Sequence, residues 1–235
     1  MNHQGEREPR VLKHRLSSRL FHWGLVLGFL PAAITGFIIW LKQGSDDFVN
    51  LAMQIHIIGA AIFTVSAILY SFFSVDRIVA FIRQISDWSH SDLKWMMVGG
   101  GYAHKMILNK EISVPPMCKL NSGQKSMGVL MFHGGIFLLF SGWILYAFIP
   151  LAPKVLVYWF AFGHLWIGLF LGLCTFAHIL LGIYNWSDFK AMFGDGTMTL
   201  EEASHHNPLW VENKIEPVKK ECDSDSEVIT ACSTN

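Results

Sequence analysis

Histidines inside long apolar stretches are the residues of this sequence that are best suited to chemistry. Of 11 histidines, five lie in such stretches, namely His22, His56, His133, His164 and His178. Ionisable side chains are costly in hydrocarbon and usually face a functional interior, so packing alone does not explain this number. A neutral imidazole offers one ring nitrogen to a metal. The chemistry that these residues indicate is therefore ligation of a metal or a metal-containing cofactor.

Four runs of mostly apolar residues hold these histidines: 21–41, 51–73, 128–149 and 157–184. Since a helix rises about 1.5 Å per residue, each run can cross a hydrocarbon core about 30 Å thick. Only 15% of the residues are charged and 52% are hydrophobic, which excludes an ordinary soluble domain with about a quarter of its residues charged. We therefore predict an all-α fold, a four-helix transmembrane bundle.

Lysine and arginine are distributed asymmetrically between the connections. Segments 1–20, 74–127 and 185–235 carry five, seven and four of them, whereas 42–50 and 150–156 carry one each. Positively charged segments remain on the cytoplasmic side of a membrane. We therefore predict a multi-pass protein of the bacterial inner membrane with both termini in the cytoplasm.

The domain organisation follows from these runs and their flanks. The first run exceeds the apolar core of a signal peptide and no small-residue cleavage site follows, so we predict a retained helix. The polar C-terminal end has no aromatic residues, which is typical of disorder. The predicted parts are a cytoplasmic tail (1–20), the bundle (21–185) with a cytoplasmic loop (74–127), a cytoplasmic segment (186–217) and a disordered tail (218–235).

His164 and His178 lie 14 residues apart in the last apolar run. At about 100° per residue they share one face of a helix and are about 21 Å apart along its axis. This separation is too wide for one metal ion and suits two large cofactors, one towards each membrane surface. Four other residues share that face: Gly168, Leu171, Thr175 and Gly182. The glycines either leave room for a flat macrocycle or serve close helix packing.

The depth of each histidine in the membrane predicts two ligand pairs. His22 and His178 belong near the cytoplasmic surface, and His56 and His164 near the periplasmic surface. Each pair supplies two nitrogens from two helices, which is how helix bundles hold a cofactor in their core. We therefore expect two b-type haems with two histidine ligands each. The sequence contains no zinc-ligand cluster and no C-x-x-C-H motif, so we expect neither zinc nor covalently attached haem.

Three polar residues keep more than one interpretation. His133 has no partner at its depth; it could hydrogen-bond a haem propionate, line a proton path or bond to a serine. Arg15 and Arg19 flank the inner pair, and they either pair with propionates or anchor the helix at the positively charged surface.

Several motifs resemble those of the cytochrome b (gamma) subunit of respiratory formate dehydrogenases, within the wider cytochrome b family shared with membrane nickel–iron hydrogenases. The motifs are RLFHWGL, QIHIIGA, KLNSGQK, GHLWIG followed by FAHILLGIY, and KAMFGDGTMTLEEASHHNPLW. Together they extend over about residues 11–213. Their order along the chain agrees with the predicted topology.

This resemblance implies a di-haem subunit that takes electrons from an iron–sulfur (beta) subunit and reduces menaquinone or ubiquinone on the cytoplasmic side. Formate would be oxidised on a separate catalytic subunit containing molybdenum or tungsten. By position, the family's haem ligands match His22, His56, His164 and His178. Its quinone site matches Asn121, with Gly123 and Gln124 close by, and His178 also approaches the quinone.

The resemblance leaves alternatives open. The sequence departs from the family pattern K-Y-N-A-G-Q-K at Leu120 and Ser122, which leaves the quinone type open, and Asn121 also suits a helix N-cap. The same electron conduit could serve a nickel–iron hydrogenase or another molybdoenzyme, or run in the quinol-oxidising direction. A haem-free membrane anchor or transporter is the alternative from another class. We expect no nucleic-acid partner.

Overall fold

The computed structural model describes residues 8–215, with side chains up to residue 213, so the predicted tail at 218–235 lies outside the described part. In chain order its elements are β1 (Arg10–Leu12), α1 (Leu16–Leu41), α2 (Asp46–Phe73), α3 (Val75–Ser86), α4 (His90–Met97), a 3₁₀ turn (Gly99–Gly101), α5 (Tyr102–Leu108), α6 (Ser122–Ala147), α7 (Lys154–Tyr184), α8 (Trp186–Phe193), β2 (Thr197–Thr199), α9 (Leu200–His206), α10 (Pro208–Trp210) and a π-helical turn (Val211–Ile215).

Four of these helices, α1, α2, α6 and α7, are long and apolar enough to cross a membrane. Each covers one predicted apolar run, which confirms the four predicted spans, but each begins three to six residues before its run, and α6 ends at Ala147, two residues before the predicted end at 149. At α2, the hydroxyl of Ser45 accepts a hydrogen bond from the backbone N–H of Phe48, and Asp46 and Asp47 follow in the first turn. Acceptors and acidic residues stabilise helix N-termini, so α2 begins in polar sequence before its apolar run.

Residues 20–78 and 127–181 form one compact unit, which contains most of the four long helices. Side-chain contacts join α1 to α2, α2 to α6, α6 to α7, and α7 back to α1, through Phe21–Tyr70, Thr64–Trp143, Phe137–Phe160 and Trp40–Trp166. Each helix therefore packs against two neighbours, which is the arrangement of a four-helix bundle.

The backbones of α1 and α2 approach most closely at two glycines. A Cβ atom built on Gly28 would lie 2.5 Å from the backbone nitrogen of Phe63, and one on Gly59 would lie 2.7 Å from the carbonyl oxygen of Gly28. Larger residues would force the helices apart, so these glycines serve the close packing that is common between membrane helices.

Residues 8–19, 79–126 and 182–215 belong to the second compact unit. Its β1 pairs antiparallel with β2, with Val11 opposite Met198. These two side chains are buried in an apolar cluster with Ala203, Trp210 and Val211. The protein is thus mostly helical, as predicted, but it adds a small sheet to the all-α bundle. The predicted tail at 1–20 supplies a strand of that sheet and the start of α1.

The predicted loop at 74–127 contains α3, α4 and α5 and is fixed by a buried ion pair. The ammonium of Lys125 donates to Asp92 Oδ2 at 2.9 Å and to the carbonyl of Asp87 at 2.6 Å. Asp92 Oδ1 accepts from the hydroxyl of Ser122 at 2.9 Å. Burial alone would raise the pKa of Asp92, but hydrogen bonds from Ser89, Lys125 and Ser122 outweigh it and lower this pKa to about 2.

We predict that Lys125→Met destabilises the protein by about 3 kcal/mol, because it leaves the Asp92 carboxylate buried without its cation. The measurement is the Tm of the purified protein in detergent at pH 7. Lys105→Met is the matched control: it removes an exposed pair with Glu111 and should leave the Tm unchanged.

The same difference in Tm should depend on pH. A lowered folded-state pKa means that the Asp92 carboxylate stabilises the protein above its ordinary pKa of about 4. That stabilisation is lost as the pH falls towards 2, so the Tm difference between wild type and Lys125→Met should narrow over that interval. Equal Tm values at pH 7 would contradict the proposed role of the pair.

Candidate functional site

The structure brings together the two histidines of each predicted pair. His56 on α2 and His164 on α7 have their ring centroids 6.1 Å apart. His22 on α1 and His178 on α7 have theirs 6.4 Å apart. The first pair is called the outer pair below and the second the inner pair, after their predicted depths.

The separation of the rings suits one metal ion between each pair. A metal–imidazole bond is about 2 Å long and a ring nitrogen lies about 1 Å from its centroid, so two imidazoles on opposite sides of one metal ion have centroids about 6 Å apart. Both observed distances agree with that value. The side chains therefore fit a haem iron with two axial imidazoles, although the ligation itself stays a prediction.

Hydrogen bonds from neighbouring helices hold the outer pair. His56 Nδ1 lies 2.8 Å from the carbonyl oxygen of Ala32 and 3.4 Å from the hydroxyl of Thr35, both on α1. His164 Nδ1 lies 2.8 Å from the hydroxyl of Ser141 on α6. Neither Nε2 atom has a hydrogen-bond partner among the described residues, so both are available to a metal.

A glycine beside each of these hydroxyls makes room for the ring. A Cβ atom on Gly36 would lie 3.2 Å from Cε1 of His56, and one on Gly142 would lie 3.3 Å from Cε1 of His164. Both distances are shorter than ordinary carbon contacts. Gly36 and Gly142 thus make room in the same way for the two outer histidines.

The inner pair lacks such support within the described residues. His22 Nδ1 is buried there without a hydrogen-bond partner. Buried polar atoms are normally paired, so this unpaired atom calls for an explanation such as a bound group.

The remaining residues of the predicted α7 face have different roles. Leu171 is buried against Gly134, where a Cβ atom would lie 2.6 Å from Cδ1 of the leucine. At Gly168, by contrast, a Cβ atom would meet only Leu138, at 3.8 Å. Close helix packing therefore does not require a glycine at 168, which favours the interpretation that it leaves room for a macrocycle.

His133 is exposed on α6, and its Nδ1 hydrogen-bonds the carbonyl of Val129 at 2.9 Å, one turn earlier in the same helix. The structure places no second histidine ring against it among the described residues. This contact is a hydrogen bond within the helix, made to a backbone carbonyl and not to a serine. The propionate and proton-path interpretations stay predictions.

The predicted quinone residues Asn121, Gly123 and Gln124 lie together at the start of α6. The backbone N–H of Gln124 donates to Asn121 Oδ1 at 2.9 Å, and the backbone N–H of Asn121 donates to Gln124 Oε1 at 3.0 Å. This is a reciprocal capping box, so the capping interpretation of Asn121 is correct. Its side-chain N–H₂ has no partner among the described residues and remains a donor for a ligand.

A second buried ion pair fixes the same segment. Gln124 Nε2 donates to Asp188 Oδ2 at 3.0 Å. The other oxygen of Asp188 accepts from the ammonium of Lys13, which also donates to Asn207 at 2.8 Å. Because Asp188 accepts from Nε2, the amide oxygen of Gln124 must face Asn121. The amide of Gln124 is therefore held in one orientation.

Sequence reasoning missed the residues that support the histidines. It also missed those that support residues 121–124 at the start of α6, called the capping segment below. Thr35 and Ser141 each lie six residues before the end of their helix, at the depth expected for the outer pair. Their match in depth to His56 and His164 was a signal from which these two hydroxyl residues could have been predicted. Asp92, Lys13 and Asp188 gave no comparable signal, because their partners are distant in sequence. His178 belongs to a different compact unit from residues 121–124, so its approach to a quinone stays a prediction.

The apolar four-helix bundle and its histidine pairs together indicate an integral-membrane haem protein. Comparison with protein families matches residues 13–195, more than three-quarters of the chain, to the prokaryotic cytochrome b561 family. The chain belongs to this family. A comparison with curated proteins gave no match. The protein is therefore a membrane-bound, haem b-binding cytochrome that transfers electrons.

Proposed function

We propose that this cytochrome b is the membrane subunit of a formate dehydrogenase complex and transfers electrons from an iron–sulfur partner to menaquinone or ubiquinone. The observation that carries the proposal is the position of two histidine pairs along α7. Helix α7 supplies one histidine to each pair, and a different helix supplies the other. Two pairs about 21 Å apart suit a path across the membrane rather than one site.

Within this proposal, the outer pair His56 and His164 holds one haem and the inner pair His22 and His178 holds a second. Bound haem supplies one-electron transfer between its ferric and ferrous states. The two histidines of each pair would hold the haem iron in position between their helices.

The quinone is proposed to bind at the start of α6. The free amide N–H of Asn121 would donate to a quinone carbonyl, while Gly123 allows Trp95 to pack against this turn. A Cβ atom on Gly123 would lie 3.0 Å from the ring of Trp95, so a larger residue would disturb this turn. The distribution of basic residues predicts that this end of α6 lies on the cytoplasmic side, where protons for the quinol would be available.

Electron flow from the outer to the inner pair would separate charge across the membrane. Each electron that moves inward against 100 mV costs about 2.3 kcal/mol, so the donor must be strongly reducing. Formate meets this condition. Hydrogen does so too, and the same conduit would then serve a nickel–iron hydrogenase.

Purification of the complex from membranes, followed by mass spectrometry, distinguishes these partners. We expect an iron–sulfur subunit and a molybdenum- or tungsten-containing formate dehydrogenase subunit. Recovery of hydrogenase subunits instead would contradict the formate assignment but retain the electron-conduit role.

We predict that His164→Ala removes the outer haem and leaves the inner one, so that the haem-to-protein ratio falls from two to about one. The ratio is measured on the purified protein as its pyridine haemochrome, and quinol should still reduce the remaining haem. His133→Ala is the matched control, because within the described residues His133 hydrogen-bonds only its own helix, and its loss should leave the ratio unchanged. A wild-type ratio of one would refute the two-haem proposal.

We also predict that Asn121→Asp raises the KM for quinone about tenfold, because it removes the amide donor. The carboxylate keeps the oxygen that caps α6, so the Tm should not change. The measurement is formate-driven quinone reduction by membranes at varied quinone concentration. Ser126→Ala, which removes a hydroxyl bonded to the carbonyl of Ser122, is the control on the same helix. An unchanged KM in Asn121→Asp would exclude the amide as a quinone ligand.

A further inference from the structure

The outer and inner histidine pairs differ in how their Nδ1 atoms are held. We propose that Ser141, together with the carbonyl of Ala32, positions the outer histidines and lowers the midpoint potential of the outer haem below that of the inner haem. This inference rests on the two-haem ligation proposed above. It assigns Ser141 a role as a positioning residue that acts through His164.

Hydrogen bonding at Ser141 determines which nitrogen of His164 carries the proton. The serine hydroxyl is fully buried and lies 2.7 Å from the carbonyl of Phe137, one turn earlier in α6. A hydroxyl has a single proton, and a carbonyl can only accept. The hydroxyl therefore donates to Phe137 and accepts from Nδ1–H of His164, which leaves the lone pair on Nε2.

The same tautomer is imposed on His56 by a different group. The carbonyl of Ala32 lies 2.8 Å from Nδ1 of His56 and has no proton to give. Nδ1 must therefore be the donor. The hydroxyl of Thr35 donates to the carbonyl of Pro31 at 2.7 Å and lies 3.4 Å from Nδ1 of the same ring. Both outer histidines thus offer Nε2 to a metal while Nδ1 donates to an oxygen.

No equivalent acceptor contacts the inner pair among the described residues. His22 Nδ1 is buried without a partner, and no hydrogen bond to the ring nitrogens of His178 is found in this part of the chain. The contrast is not a matter of distance between the rings, because the two pairs differ by only 0.3 Å in centroid separation (6.1 and 6.4 Å).

This contrast has a direct electronic consequence. An N–H···O bond at Nδ1 increases the electron density of the imidazole and makes Nε2 a stronger ligand. A stronger ligand stabilises the oxidised iron, which lowers the midpoint potential. The outer haem should therefore be the better electron donor of the two. Transfer from the outer to the inner haem is then downhill before any membrane potential is applied.

The test is a redox titration of the haem-loaded protein, followed at the α-band, for wild type, Ser141→Ala and Ser141→Cys. We expect the outer potential to rise in Ser141→Ala and to rise less in Ser141→Cys, because sulfur is a weak acceptor. The inner potential should stay constant. The inner haem is identified by titrating His164→Ala.

Ser71→Ala is the matched control, because the hydroxyl of Ser71 donates to the carbonyl of Ala67 in its own helix, at 2.8 Å, and is paired with no histidine among the described residues. It should change neither potential. If Ser141→Ala loses the outer haem, the titration of Ser141→Cys decides. A rise in the midpoint potential of its outer haem supports the proposal, and an unchanged outer potential overturns it.

Other results would also overturn the proposed role of Ser141. They distinguish a failure of this role from a failure of the proposed function. Two haems with unchanged potentials in both serine variants would contradict the inference and leave the electron-conduit proposal intact. A shift of the inner potential alone would contradict the assignment of Ser141 to the outer site. A single haem in the wild-type protein would remove the basis of both.

Discussion

The structure of the bundle depends on one constraint, which is that a ring N–H buried in hydrocarbon needs an acceptor. Helix carbonyls already accept from the amide four residues later, so only a second lone pair or a hydroxyl is available. His56 uses the carbonyl of Ala32, and His164 uses the hydroxyl of Ser141. Each bond crosses to a neighbouring helix. The positions of α1 against α2 and of α6 against α7 are thereby tied to the histidines.

The capping segment at the start of α6 is fixed by charge rather than by apolar packing. Two carboxylates, the buried Asp92 and the half-buried Asp188, each accept from one of its residues and from a lysine. Each carboxylate is compensated by its lysine, which is the condition under which buried charge is tolerated. Ser122 and Gln124 are therefore held from two sides, and the amide of Asn121 remains as the free donor.

Sequence reasoning recovered what local patterns encode. Run length and composition gave the four spans, and depth gave the two histidine pairs that the structure brings together. It did not recover the sheet, because β1 and β2 have three residues each and lie at opposite ends of the chain. Lys13 and Asp188 were missed for the same reason. A buried ion pair between residues 175 positions apart leaves no periodic signal in the sequence.

The four long helices contribute different numbers of histidines to the two pairs. The role of α6 is therefore not evident from its histidine content alone. Helix α7 supplies one member of both pairs, while α1 and α2 supply one each. Helix α6 supplies no member of either pair, and its His133 is exposed. Yet α6 provides the hydroxyl that orients His164 near one end and the capping segment at the other. Ser122 donates to the buried carboxylate of Asp92, so it supports the segment that carries Asn121.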